Sequence, residues 1–271
     1  MRDKSRYINR EISWLSFNAR VLQEAEDPNV PLFERLRFIG IFSNNLDEFF
    51  RVRVASVRRM LDLDSDGNDI LGDYTPEELY EKIQEVVLQH QQRSQEIYKK
   101  ILHEMAGQNI FMINENKLSS EQGIFVKRYF HEKVLPNLVP IMLNKENKFP
   151  YLRDRSVYLA VKMSTEKKPR KFAYALVRIP SLSLSRYLVL PEQKGKKYVI
   201  MLDDVIRYCM ADIFPLFNYE LFHAYTIKVT RDAELDLDDD ISKSFIEKME
   251  MSLKKRKIGT PVRLIYDKEI P

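Results

Sequence analysis

Apolar residues recur at three- and four-residue steps through the first part of the chain, and alternation takes over in the second. Ile12, Leu15, Ala19 and Leu22 make one stripe, widened by Trp14 and Phe17, and this spacing predicts a helix with one buried face. Asp27-Pro28-Asn29 ends it, and Pro31 suits the first turn of the next helix. Leu32, Leu36, Ile39, Leu46, Phe50, Val57 and Leu61 carry a second apolar seam for about eight turns. The acidic, Gly-containing stretch from Asp62 to Asp73 then reads as an exposed loop. Thr75-Pro76-Glu77-Glu78 combines an N-cap, a proline at N1 and an acid at N3, a capping-box start. Leu79, Ile83, Val86, His90, Ile97 and Ile101 extend that helix to about Met105. Helices of this size joined by short connections predict an antiparallel bundle.

After a linker at Gly107–Ser119, with a short strand at Ile110–Ile113, a helix is expected from Ser120 to Leu135, ended by Pro136 and Pro140. Val157–Val161 and Phe172–Val177 read as a hairpin around the mostly basic turn Glu166–Lys171. Tyr198–Met201, Tyr225–Val229 and Val262–Tyr266 are further strands, Asp203 is expected to cap the helix carrying Val205, Ile206, Cys209 and Ile213, and Ile241–Lys254 is a helix. The fold class is therefore multidomain. An all-α N-terminal helical bundle over residues 1–106 is followed by an α+β domain over 107–271, with helices on one face of a mainly antiparallel sheet.

Composition narrows the picture. With 44% hydrophobic and 11% aromatic residues among 271, the chain can bury a real core. Cys209 is the single cysteine, so no internal disulfide can form, and a reducing cytoplasm is expected. No apolar run is long enough to span a membrane. Met1-Arg2-Asp3-Lys4 lacks the apolar core of a signal peptide. Peripheral membrane association is not legible. The seven glycines never fall in a GxGxxG or GxxxxGK[ST] spacing, which excludes a Rossmann fingerprint and a Walker loop. Residues 1–107 hold 15 Lys/Arg against 19 Asp/Glu, a net of −4, and residues 108–271 hold 29 against 21, a net of +8. The basic surplus suits an anionic partner or an ordinary solvated surface.

Candidate chemistry is sparse. His90, His103, His131 and His223 are scattered, with no HExxH, CxxC or GxSxG nearby. His90 falls on the apolar seam, as a satisfied core histidine does, and Cys209 reads as a small core residue. Asp236, Asp238, Asp239 and Asp240 lack the Gly and terminal Glu of a calcium loop and read as a solvated turn. Lys254–Lys257 is a basic helix end, and Thr230-Arg231-Asp232-Ala233-Glu234 is either a functional corner or an ion-paired turn. Ser43-Asn44-Asn45-Leu46-Asp47-Glu48-Phe49 is the odd segment, since stability alone rarely selects two adjacent asparagines inside a helix. Asn44, Glu48 and Arg51 at i, i+4 and i+7 form a polar stripe. It suits either a solvated face with a Glu48–Arg51 pair or carboxamides placed to read the edge of a base.

Ile12–Ala25, Ser43–Arg53, Thr230–Glu234 and Pro261-Val262-Arg263 together resemble the opening of the large bacterial polyphosphate kinases, in order and at similar spacing along the whole chain. The resemblance implies an ATP:polyphosphate phosphotransferase that moves the terminal phosphate of ATP reversibly onto inorganic polyphosphate through a phosphohistidine. It implies a helical N-terminal domain, a head domain here cut short at or before its end, and two further domains carrying that histidine and the magnesium ligands. This chain is then expected to hold no catalytic or metal residue and to be inactive alone. By the same resemblance Asn45 meets the adenine of ATP; Asn44, Glu48 and Arg51, its polar neighbours on the helix, are the supporting candidates. The expected partners are ATP and ADP, inorganic polyphosphate and further copies of the chain, with no nucleic acid. The alternative is a stand-alone nucleotide- or polyanion-binding module, or a helical interaction module, without catalysis.

Overall fold

The structure is a computed structural model and describes residues 8–62, 74–144, 148–233 and 259–271. The expected acidic loop after Asp62, the Asp236–Asp240 cluster, the Ile241–Lys254 helix and the Lys254–Lys257 run lie outside the described residues. Two compact units emerge. One joins residues 1–104 to 230–263, and the other joins residues 105–229 to 264–271.

The first unit is built on α1 (Arg10–Glu26), α2 (Leu32–Phe49), α3 (Ala55–Asp62) and most of α4 (Pro76–Gly107). Asn9 caps α1, its side chain accepting from Glu11 N and Ile12 N. The capping box of α4 is reciprocal: Glu78 N donates to Thr75 Oγ1 at 3.2 Å, and Thr75 N donates to Glu78 Oε2 at 2.9 Å. Leu15, Leu22, Leu46, Phe49, Leu79, Ile83 and Ile97 are buried between the helices. Buried Arg35 ties them together, donating from Nε to Ala25 O at 2.8 Å and from Nη1 to Glu104 Oε2 at 2.6 Å. Arg93 beside Glu26, 2.6 Å away, holds that carboxyl below its ordinary range.

Phe17 departs from expectation: it is 58% exposed rather than part of the buried stripe, because Leu15 and Leu22 already fill the inward face. His90 departs too. It is half-buried with Nδ1 out of contact with any partner among the described residues, and burial lowers its pKa. The long second helix is interrupted by one π-helical turn, Phe50–Val54, between α2 and α3.

The second unit holds β1 (Ile110–Ile113), α5 (Ser120–Tyr129), β2 (Pro140–Leu143), β3 (Val157–Thr165), β4 (Lys168–Arg178), β5 (Tyr187–Gln193), β6 (Lys196–Met201), α6 (Leu202–Tyr208) and α7 (Met210–Ile213). It also holds the larger part of β7 (Leu221–Arg231) and half of β8 (Pro261–Tyr266). A three-stranded sheet has the order β1-β6-β5, with β1 parallel to β6, and a five-stranded sheet runs β2-β4-β3-β7-β8. β3 is antiparallel to both β4 and β7. Leu159, Val161 and Met163 of β3 join Val126, Phe130, Val205 and Ile206 from the helical segments in the main core. Tyr158 points the other way, into a smaller cluster with Leu152, Leu176 and Ile227, as the period of a strand requires.

Two local expectations are corrected. The β3–β4 hairpin is tighter than the basic turn suggested, with Thr165 opposite Lys168 and Pro169–Lys171 already in strand. Asp203 does not cap α6; Met201 occupies that place, and Asp203 lies inside the helix, accepting from Arg186 Nη2 at 2.7 Å.

Candidate functional site

The double asparagine on α2 divides its work. Asn44 is exposed, whereas Asn45 is half-buried and turned toward α1. Its Nδ2 donates to Asn18 Oδ1 at 3.0 Å. Asn18, on α1, is fully buried, and its own Nδ2 donates to Phe42 O at 3.3 Å. Asn45 Oδ1 and its second Nδ2 hydrogen have no partner among the described residues. Nearby, Trp14 stacks on buried Phe49 with ring centroids 4.6 Å apart, and Phe49 meets Phe50 edge-on at 6.1 Å. Glu48 is exposed and lies 3.8 Å from Arg51, which is half-buried. The stripe of Asn44, Glu48 and Arg51 is therefore a flank, and Asn45 stands apart from it as the residue held by a second helix. Chemically, the arrangement is a carboxamide on a rigid element, with one acceptor and one donor left over.

What makes this element rigid was only half visible in the sequence. In the π-helical turn, Ala55 N donates to Phe50 O and Val52 O, passing over Arg51 O, and Arg51 O accepts instead from Ala233 N at 3.2 Å. Arg59 pairs with Asp232, and Asp232 N donates to Thr260 O at 2.9 Å. Arg231 Nη1 donates to Gly259 O at 2.8 Å. A Cβ at Gly259 would stand 2.3 Å from the backbone oxygen of Asp232, so only glycine permits this approach. Arg263 Nη1 reaches Asp47 Oδ1 at 3.2 Å, and its guanidinium lies 4.6 Å from the centre of the Phe50 ring. Burial lowers the Arg263 pKa, and Asp47 opposes that shift.

Thr230–Ala233 of the corner are thus ion-paired through Asp232, Glu234 lying outside the described residues, and the Pro261-Val262-Arg263 motif meets the asparagine-bearing helix. Asp47, Arg59, Asp232 and Arg263 were missed as a group. The available signal was a carboxylate between Leu46 and Glu48 on an apolar helix and a lone arginine inside an apolar strand, each needing an opposite charge if buried.

The second unit contains a cavity of about 870 Å³ lined by Asn114, Arg186, Asp203, Asp204, Arg207 and Asp267 among others. Arg207 is its hub, donating to Ala224 O at 3.0 Å, Asp204 Oδ1 at 2.6 Å, Asp267 Oδ2 at 3.1 Å and also Thr226 Oγ1. Burial pushes the Asp204 carboxyl up to about 6; Arg207 opposes this, and Glu115 and Asp203 add to it. Cys209 is a buried core residue, as expected, and burial pushes its thiol up to about 12. Among the described residues no cluster of three or more His, Cys, Asp or Glu side chains could hold a metal ion. No described helix is long and apolar enough to cross a membrane.

Comparison with known proteins identifies the surroundings of these residues. A family described as "Polyphosphate kinase N-terminal domain" matches residues 7–113, and one described as "Polyphosphate kinase middle domain" matches 121–271. A polyphosphate kinase of Vibrio cholerae is 44% identical over 98% of this chain, and one of Escherichia coli K12 is 41% identical over 98%. The chain spans 38% of the length of these curated relatives. The crystal structure of polyphosphate kinase from Porphyromonas gingivalis matches with a TM-score of 0.77 at 30% identity, covering 98% of this chain and 36% of that one.

Proposed function

As the chain belongs to the polyphosphate kinase family, we propose that it forms the N-terminal and head portion of an ATP:polyphosphate phosphotransferase. In this reading the enzyme transfers the terminal phosphate of ATP reversibly to inorganic polyphosphate, and this portion supplies the wall that meets the adenine. The observation that carries the second half is Asn45: a half-buried amide held by Asn18 with hydrogen-bonding capacity to spare. A base edge, unlike water, rewards an amide that is already oriented, because no rotamer freedom is lost on binding. Asn44, Glu48 and Arg51 flank that amide and play a supporting part.

The chemical step lies with residues outside this chain. In the same reading the phosphohistidine and the magnesium ligands belong to further domains of the full-length enzyme. That enzyme is, in the same reading, a cytoplasmic homo-oligomer.

Asn45→Ala tests the adenine contact. In the full-length enzyme carrying this sequence, the KM for ATP is expected to rise about tenfold with kcat little changed, the effect of losing one hydrogen bond of about 1–2 kcal/mol made equally to substrate and transition state. Unchanged ATP kinetics would remove Asn45 from the site.

A further inference from the structure

Asn45 can present either of two edges, because its amide oxygen and nitrogen exchange places on a half-turn of the side chain. The environment decides which edge faces out. Phe42 O is a carbonyl and can only accept, so the end of Asn18 that meets it at 3.3 Å is the NH2. Asn18 Oδ1 must then face Asn45, and an oxygen there can only accept, so Asn45 turns its Nδ2 inward at 3.0 Å. Asn18 is fully buried and no water competes for its bonds. The outward acceptor of Asn45 is consequently its Oδ1, fixed through two hydrogen bonds by a backbone carbonyl.

We propose that Asn18 is a positioning residue that makes the site selective for adenine over guanine by locking the orientation of the Asn45 amide. This rests on the adenine reading of Asn45 given above. Adenine offers an N6–H donor beside the N1 acceptor, which matches an oxygen next to an N–H. Guanine offers its O6 acceptor beside an N1–H, the reverse order, which matches the same amide only after it turns over. Turning over breaks the bond to Asn18 and sets two oxygens against each other in a buried place, so the locked amide opposes guanine as well as accepting adenine. Asn18 touches neither base. A purely structural role would lower the use of both nucleotides alike, whereas a positioning role changes their ratio.

The test is the ratio of kcat/KM for ATP to that for GTP, measured in the full-length enzyme with wild type, Asn45→Ala, Asn18→Leu and Asn18→Ala. Both nucleotides are assayed on one preparation, so the ratio is independent of the folded fraction, and the smaller alanine guards against a leucine that does not fit. Both Asn18 variants are expected to lower the ratio about tenfold, the factor carried by one hydrogen bond, with GTP use falling less than ATP use. If Asn45→Ala lowers the ratio and the Asn18 variants keep the wild-type value, the locking role is overturned and the adenine contact stands. If Asn45→Ala changes neither the ratio nor the KM for ATP, the adenine contact itself fails, and the role of Asn18 goes with it.

Discussion

Replacing Asp47 with alanine is expected to destabilise the first unit by about 3–5 kcal/mol, the penalty for leaving one member of a buried ion pair uncompensated. The side chains of Arg263 and Asp47 are 9% and 13% exposed, and Asp47 is the one carboxylate bonded to Arg263 among the described residues. Arginine cannot escape by losing its proton, so its charge stays buried over the Phe50 ring. The double replacement Asp47→Ala with Arg263→Leu should recover part of that loss, since removing both charges removes both desolvation costs while the smaller apolar pair leaves some space unfilled. Trp14 is the single tryptophan and stacks on Phe49 in this unit, so urea unfolding followed by its fluorescence reads the effect directly. A single-variant loss below about 1 kcal/mol, the range of an exposed pair, would contradict the buried-pair account.

The second large effect is a pH dependence centred on Asp204. Its carboxyl is displaced by burial from the ordinary 3.8 to about 6. The folded chain therefore holds that proton more tightly than the unfolded chain does. The associated stability is fully present below pH 3.8, declines as the pH rises to about 6, and stays lost above. A displacement of this size corresponds to about 3 kcal/mol; the Asp204 side chain is only 13% exposed, which limits solvent screening. Asp204→Asn keeps an acceptor for Arg207 and cannot ionise. Between pH 4 and pH 7, wild type should lose about 2 kcal/mol relative to this variant in urea unfolding followed by circular dichroism. Parallel curves for the two proteins would show that Asp204 titrates as a solvated carboxylate.

Much of the fold is legible where one local rule acts alone. The steps through Leu15 and Leu22 and the Thr75–Glu78 capping box specify α1 and α4 without help from the rest of the chain. Elements were lost where local signals conflict. β5 contains Pro191, which argues against a strand. Its turn into β6 uses Lys194 and Gly195, both at positive φ, rather than the more familiar Asn-Gly. β2 is short and begins at Pro140. The basic stretch ending at Lys171 looked like a turn because charge was read as exposure, yet the edge of a hairpin carries charge equally well.

The site divides in the same way. Asn45 announces itself through its neighbour Asn44, a pattern within a few residues of chain. Asn18 does not, because one asparagine among Ser16, Phe17 and Ala19 has no local oddity. Its role exists only once two helices bring it against Phe42 and Asn45. The Asp47–Arg263 pair is beyond local reasoning for the same cause, joining residues 216 apart in the chain.

The central claim is that Asn45 meets adenine through an oxygen whose direction is set from behind. A structure of the full-length enzyme with a non-hydrolysable ATP analogue measures this directly. The account predicts the adenine N6 at hydrogen-bonding distance from Asn45 Oδ1, about 3 Å, with the Asn45 Nδ2 to Asn18 Oδ1 bond still in place. An adenine bound away from α2, or one that meets Asn45 through Nδ2 with the bond to Asn18 broken, would contradict it.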